Sequence, residues 1–143
     1  MTQVDFYILE ESSPRARMLF ACRLADKVCG MGHRVFVQAS SEGAARELDE
    51  LMWTYHDRSF LPHCLAGADP EAAVHIGHGM EPADGFHLLI NLAAEVPGFC
   101  SRFERVAEVV DGDEAHKAQG RERFRFYKDR GYPLKTNPIG NRA

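Results

Sequence analysis

A chain of 143 residues with 45% hydrophobic, 27% charged and 10% aromatic residues has the profile of one globular domain, with no room for a second full one. Twelve Gly and seven Pro follow no period and no internal repeat is visible, which excludes collagen-like and low-complexity classes. The formal net charge of −4 conceals an asymmetry: residues 1–116 carry nine Lys/Arg against nineteen Asp/Glu, whereas residues 117–143 carry eight against two. An acidic body ends in a basic segment, and such a segment points to an anionic partner.

The longest nearly unbroken apolar stretch, Phe86-His87-Leu88-Leu89-Ile90, is a strand's length, far short of the roughly 20 residues that span a bilayer. The opening Met1-Thr2-Gln3-Val4-Asp5-Phe6 has none of the marks of a signal peptide, so a cytoplasmic protein with no membrane contact is expected. Cys22, Cys29, Cys64 and Cys100 form no Cys-x-x-Cys pair and are expected to be reduced thiols, with no zinc or other metal site. Cys22 and Cys29, seven apart in a helical pattern, pack on one face as small hydrophobes.

In chain order, Val4-Asp5-Phe6-Tyr7-Ile8-Leu9 reads as a first strand. Ser12 or Ser13 caps a helix that Pro14 opens, that Met18, Cys22, Ala25 and Cys29 give an apolar face, and that Gly30 and Gly32 stop. Residues 34–38 form a second strand, and Ser40 or Ser41 opens a second helix with Ala44, Leu48, Leu51 and Met52 on one face. Residues 61–82 are turn-rich with one possible strand at 73–76. The run 86–91 is a firmer strand, apolar enough for burial on both faces. A short helix at 99–103, a last strand at 105–110 and a final helix at 113–130, closed by Gly131, complete the body. Alternating strands and helices at these distances imply a mostly parallel sheet with helices on both faces, one α/β domain over residues 1–131. Residues 132–143, with Pro133, Pro138 and Gly140, are expected to be an irregular tail.

His75-Ile76-Gly77-His78 spells an adenylate-forming signature, in which imidazoles at a helix N-terminus stabilise charge on a phosphate. Here a turn-forming run follows instead of a helix, so a nucleotidyltransferase using His75 and His78 is the weaker alternative. The segment after the first strand, Glu10-Glu11-Ser12-Ser13-Pro14, has no Gly and two carboxylates, so no phosphate-binding loop is available and no nucleotide cofactor is expected. Neither a Gly-x-Ser-x-Gly elbow nor a His-Glu-x-x-His pair occurs. Asp111, Asp113 and Glu114 favour the start of the final helix electrostatically.

Trp53 and Phe60 flank a polar segment after the second helix and serve either as packing for that connection or as a protein-protein anchor. In the final helix, Lys117, Arg121, Phe124, Arg125 and Lys128 fall within an arc of about 100°. Few acids are nearby to pair with them, and an exposed Phe124 calls for a cover. An acidic peptide with an apolar C-terminal residue fits this face, its carboxylate held by Arg. Single-stranded DNA fits too, with phosphates on the cations and a base on the ring.

Four stretches resemble the chi subunit of bacterial DNA polymerase III holoenzyme. They are residues 4–9, Leu48-Asp49-Glu50-Leu51-Met52-Trp53, Ser59-Phe60-Leu61-Pro62-His63-Cys64-Leu65-Ala66-Gly67, and Arg121-Glu122-Arg123-Phe124-Arg125-Phe126-Tyr127. The resemblance implies a Rossmann-like fold without a nucleotide site and a non-catalytic, clamp-loader-associated adaptor. It also implies that the acidic C-terminal tail of single-stranded DNA-binding protein docks on Val110, Lys117, Arg121, Phe124 and Arg125. By that resemblance Arg121 takes the terminal carboxylate, Val110 and Phe124 the apolar end, and Lys117 and Arg125 the upstream acids. Phe124 stands where a Tyr is usual, and Arg125 where a Lys is. Trp53 and Phe60 match the surface for the psi subunit, which a repair helicase also contacts, and single-stranded DNA is reached mainly indirectly.

Overall fold

All seven strands of a computed structural model, which describes residues 1–56 and 61–140, join one parallel sheet. They are β1 (Gln3–Leu9), β2 (Val35–Gln38), β3 (His63–Leu65), β4 (Val74–Gly77), β5 (Leu88–Asn91), β6 (Arg105–Val110) and β7 (Leu134–Ile139). Their order across the sheet is β3-β4-β2-β5-β6-β1-β7, a Rossmann-like α/β arrangement. Helices α1 (Pro14–Gly30) and α2 (Glu42–Thr54) cover one face; α3 (Glu114–Asp129) and a 3₁₀ turn at Cys100–Arg102 cover the other.

Each helix starts where a side chain satisfies its free amides. Ser13 Oγ accepts from Ala16 N at 3.3 Å, Ser41 Oγ from Ala44 N at 3.1 Å, and Asp113 Oδ2 from His116 N at 3.1 Å. Under α1 and α2 lies a core of Ala21, Cys22, Ala25, Leu48 and Met52 against Val35, Val37, Ile90 and Val109. Burial pushes the Cys22 thiol up to about 12 and the Cys29 thiol up to about 11, so both behave as apolar groups. The opposite core is aromatic, with Phe6, Phe36, Phe86, Phe103 and Tyr127 meeting mostly edge to face.

A buried ion pair fixes α3 to this second face. Glu108 projects from the middle of β6 with no solvent access, and Arg123 Nε donates to its Oε1 at 2.7 Å. Tyr127 Oη donates to Oε2 at 2.7 Å, and Asn91 Nδ2 reaches Oε1 at 3.2 Å and Oε2 at 3.0 Å. Burial raises the Glu108 carboxyl, while Arg123 and the bonds from Asn91 and Tyr127 draw it back toward ionisation. Arg123 also donates through Nη1 to Ala94 O at 2.9 Å, tying the loop after β5 to the same point.

Two departures from the sequence-based expectations have physical reasons. Residues 134–139 are not an irregular tail but the edge strand β7, paired with β1 from Leu134 opposite Val4 to Ile139 opposite Leu9. Pro138 is admitted because its missing N–H points away from the sheet at an edge. The unforeseen β3 is three residues long, too short for a visible alternation, and sits at the other edge. His75-Ile76-Gly77-His78 lies on and just past β4, and no helix follows it before β5. His75 is buried, its ring 5.0 Å from that of Phe86, and a side chain at Gly77 would fall 2.5 Å from the Phe36 ring. These residues pack the sheet. Among the described residues, no helix is long and apolar enough to cross a membrane.

Arg123→Ala strands a buried carboxylate and should destabilise the fold by about 3–5 kcal/mol, read as a fall in the urea midpoint; an unchanged midpoint would show that the pair does not hold α3. His75 has its pKa lowered by burial and by the Arg34 charge, and its Nε2 has no hydrogen-bond partner among the described residues. The unfolded chain therefore binds a proton that the folded chain resists. The stability this confers is full above the ordinary imidazole pKa of about 6.5 and is lost as pH falls below it. His75→Gln should flatten that part of the stability–pH curve.

Candidate functional site

Where α3 crosses β6, the contact is close enough to require glycine: a Cβ on Gly120 would lie 2.9 Å from Val110 Cγ2. One turn later the Phe124 ring meets Phe6 of β1 edge-on, with centroids 5.3 Å apart. Between these two contacts a cavity of about 280 Å³ opens. Its floor is Phe6, Ile8 and Val110 from the central strands, one wall is Lys117, Gly120, Arg121 and Phe124 from α3, and the other is Thr136 from β7. The volume falls below the roughly 300–1,000 Å³ of cofactor and drug sites and suits one large side chain.

The charges sit at the mouth. Lys117 and Arg121 are one helical turn apart on the cavity side. Lys117 Nζ lies 3.7 Å from the exposed Glu114 carboxylate, a weak surface pair. Among the described residues, Arg121 makes no ion pair. Its guanidinium beside an apolar hole is the geometry for a group that carries a carboxylate next to a hydrophobic side chain, as a peptide C-terminus does.

Four of the five residues expected here, Val110, Lys117, Arg121 and Phe124, therefore converge on one cavity. Arg125 does not line it: the side chain is exposed on the outer rim and its Nη1 donates to Glu122 at 3.3 Å. Of the few acids expected near the helix cations, Glu114 and Glu122 each serve one of them, Lys117 and Arg125, at i,i+3. Arg123, counted in the basic segment, is internal. Sequence reasoning missed Gly120, Phe6, Ile8 and Thr136. A glycine inside a strong helical pattern was the available signal for the first, and the alternation Val4, Phe6, Ile8 for the next two.

The second expected surface lies across the sheet. Trp53 is in the last turn of α2, on the face opposite α3, and is 57% exposed. Its indole sits 4.5 Å from the His63 ring. That ring is itself held, with Nδ1 2.6 Å from Leu61 O and Nε2 3.0 Å from Asp49 O. A large aromatic surface is thus presented at the β3 edge with its orientation supported. Phe60, the other residue expected there, lies outside the described residues. Among the described residues, no three His, Cys, Asp or Glu side chains are grouped to hold a metal ion.

The profile of the family described as "DNA polymerase III chi subunit, HolC" matches residues 1–135. The chain is 44% identical to the DNA polymerase III subunit chi of Pseudomonas aeruginosa over 139 residues, 97% of this chain and 98% of that protein. It is 33% identical to the subunit of the same name from Haemophilus influenzae, over 95% of this chain and 96% of that one. Among solved structures it is similar to T4 UvsW (TM-score 0.68, 9% identity), covering 97% of this chain and 42% of UvsW. It is also similar to the C-terminal domain of the DEAD-box protein Dbp5 (TM-score 0.58, 11% identity), covering 96% of this chain and 90% of that domain. At such identities the structural likeness shows the fold alone.

Gly120→Ala forces either α3 or Val110 to move and should cost about 1–3 kcal/mol while reshaping the cavity. Thermal melting reads the first effect. A melting point equal to that of the parent would mean that the helix yields freely there.

Proposed function

The chain belongs to the chi-subunit family of DNA polymerase III, accessory subunits in DNA replication, and from that premise we propose that it is a non-catalytic adaptor acting in the cytoplasm. In this reading its α3 cavity binds the acidic C-terminal tail of single-stranded DNA-binding protein. The Trp53 surface binds the psi subunit, and through it the clamp loader. The observation that carries the proposal is Arg121, without an ion pair among the described residues, beside an apolar cavity of about 280 Å³.

An apolar C-terminal side chain enters between Val110 and Phe124, its carboxylate meets Arg121, and upstream acids meet Lys117 at the mouth and Arg125 on the rim. Phe124 contributes its ring face without a hydroxyl. Phe60, by resemblance, completes the psi surface with Trp53, and a repair helicase competes for the same place. Because the two surfaces lie on opposite faces of the sheet, both partners bind at once. Tethering to the clamp loader then converts a weak tail contact into an effectively intramolecular one. Single-stranded DNA is reached through its binding protein.

The test is fluorescence anisotropy with a labelled acidic peptide ending in Pro-Phe. Arg121→Ala should weaken binding by about 2–5 kcal/mol, the range for truncating one side of a desolvated charge pair, and Lys117→Ala by less, mostly through slower association. Added salt should weaken the parent's binding. Equal, small losses in both variants would remove the carboxylate assignment. A labelled oligonucleotide bound in place of the peptide would move α3 to direct DNA contact.

A further inference from the structure

The peptide cavity has an open side, and that side is a sheet edge. Among the described residues, β7 pairs only with β1, leaving its outer edge without a neighbouring strand. Val4 N donates to Pro133 O at 2.9 Å, so residue 133 turns its backbone groups toward β1. In a parallel ladder these groups alternate along the strand, so residues 135, 137 and 139 also face β1, while Leu134, Thr136 and Pro138 face outward. Side chains alternate with the same period. Leu134 packs on the aromatic core and Thr136 lines the cavity, whereas Ile139 packs on the opposite face. The residue that walls the cavity is thus one that offers a free N–H and C=O at the edge.

Resting on the assignment of the cavity to an acidic peptide, we propose that the peptide also adds to the sheet as an eighth strand along residues 134–136, with its apolar residue turned into the cavity. The charges on both sides of this edge suit that occupant. Arg121 stands at the cavity mouth, and Lys135, exposed and without an ion pair among the described residues, flanks the edge on the other face. An acid whose side chain points away from the cavity lies beside Lys135 as a cross-strand neighbour. Pro138, outward-facing and without an N–H, ends the added ladder and keeps the pairing short. Main-chain bonds then supply affinity that does not depend on the peptide's sequence, and the cavity supplies selectivity.

Amide hydrogen exchange on the ¹⁵N-labelled full chain, with and without a saturating acidic peptide ending in Pro-Phe, tests this. The Leu134 and Thr136 amides should become protected on binding. Those of Lys135 and Asn137, already bonded to β1, should change little. N-methylating the peptide amide that meets Thr136 should weaken binding about threefold to tenfold, the worth of one such bond, and Lys135→Glu should weaken it as well. If the Arg121 and Phe124 signals shift with peptide while Leu134 and Thr136 exchange as in the free protein, the strand addition is wrong and the cavity assignment stands. If neither pair responds, both are wrong.

Discussion

Glu108 is charged, central and dry, and the placement of α3 follows from how that charge is satisfied. A carboxylate with no solvent access persists only if it is paired and hydrogen-bonded on nearly every lone pair. Four bonds from three side chains meet this demand: Arg123, Tyr127 and Asn91. Two of those residues lie one turn apart on α3, and two contacts at that spacing fix both the rotation of a helix about its axis and its position along it. A purely apolar interface tolerates sliding more readily, since hydrophobic attraction is non-directional.

With that rotation set, the remaining faces of α3 have no choice of environment. Gly120, three residues before Arg123, is pressed on Val110, and Phe124, the next residue, is turned onto Phe6. Lys117 and Arg121 fall on the side facing β1 and β7, where the close approach at Gly120 leaves a hollow beneath them. The hollow is therefore a consequence of packing large aromatic groups on one side of a glycine contact. The basic character of the C-terminal segment divides by function along the same lines. Arg123 balances an internal acid, Arg125 and Lys117 have helical acid neighbours, and Arg121 has no ion pair among the described residues.

Much of this was legible in the amino-acid sequence because it rests on local signals. Ser13 with Pro14, Ser41 and Asp113 mark helix starts through side chains that bond the first free amides, and the near-continuous apolar strand 88–91 announces burial on both faces. The cluster of Val110, Lys117, Arg121 and Phe124 was readable as one helix face plus a family resemblance. Arg123 was counted with the basic segment because a charge count gives number and not environment: only the tertiary pairing reveals that Glu108, in a mostly apolar strand, is its partner. β3 and β7 escaped because edge strands need little hydrophobicity, and in β7 the polar residues, Pro138 included, argue locally against the very strand they form.

That misleading composition has a use. A strand carrying Lys135, Asn137 and Pro138 is a poorer template for arbitrary chains than a long apolar edge, yet β7 still brings Thr136 to the outer wall of the cavity. Phe6 and Ile8 come from the first strand, Val110 from the last central one, and Thr136 from the final edge, so the hollow exists only when both ends of the chain are in register on β1. A site assembled this way cannot form in a partly folded chain. Its cations, Lys117 and Arg121, stand beside an apolar hollow only when the floor beneath them is complete.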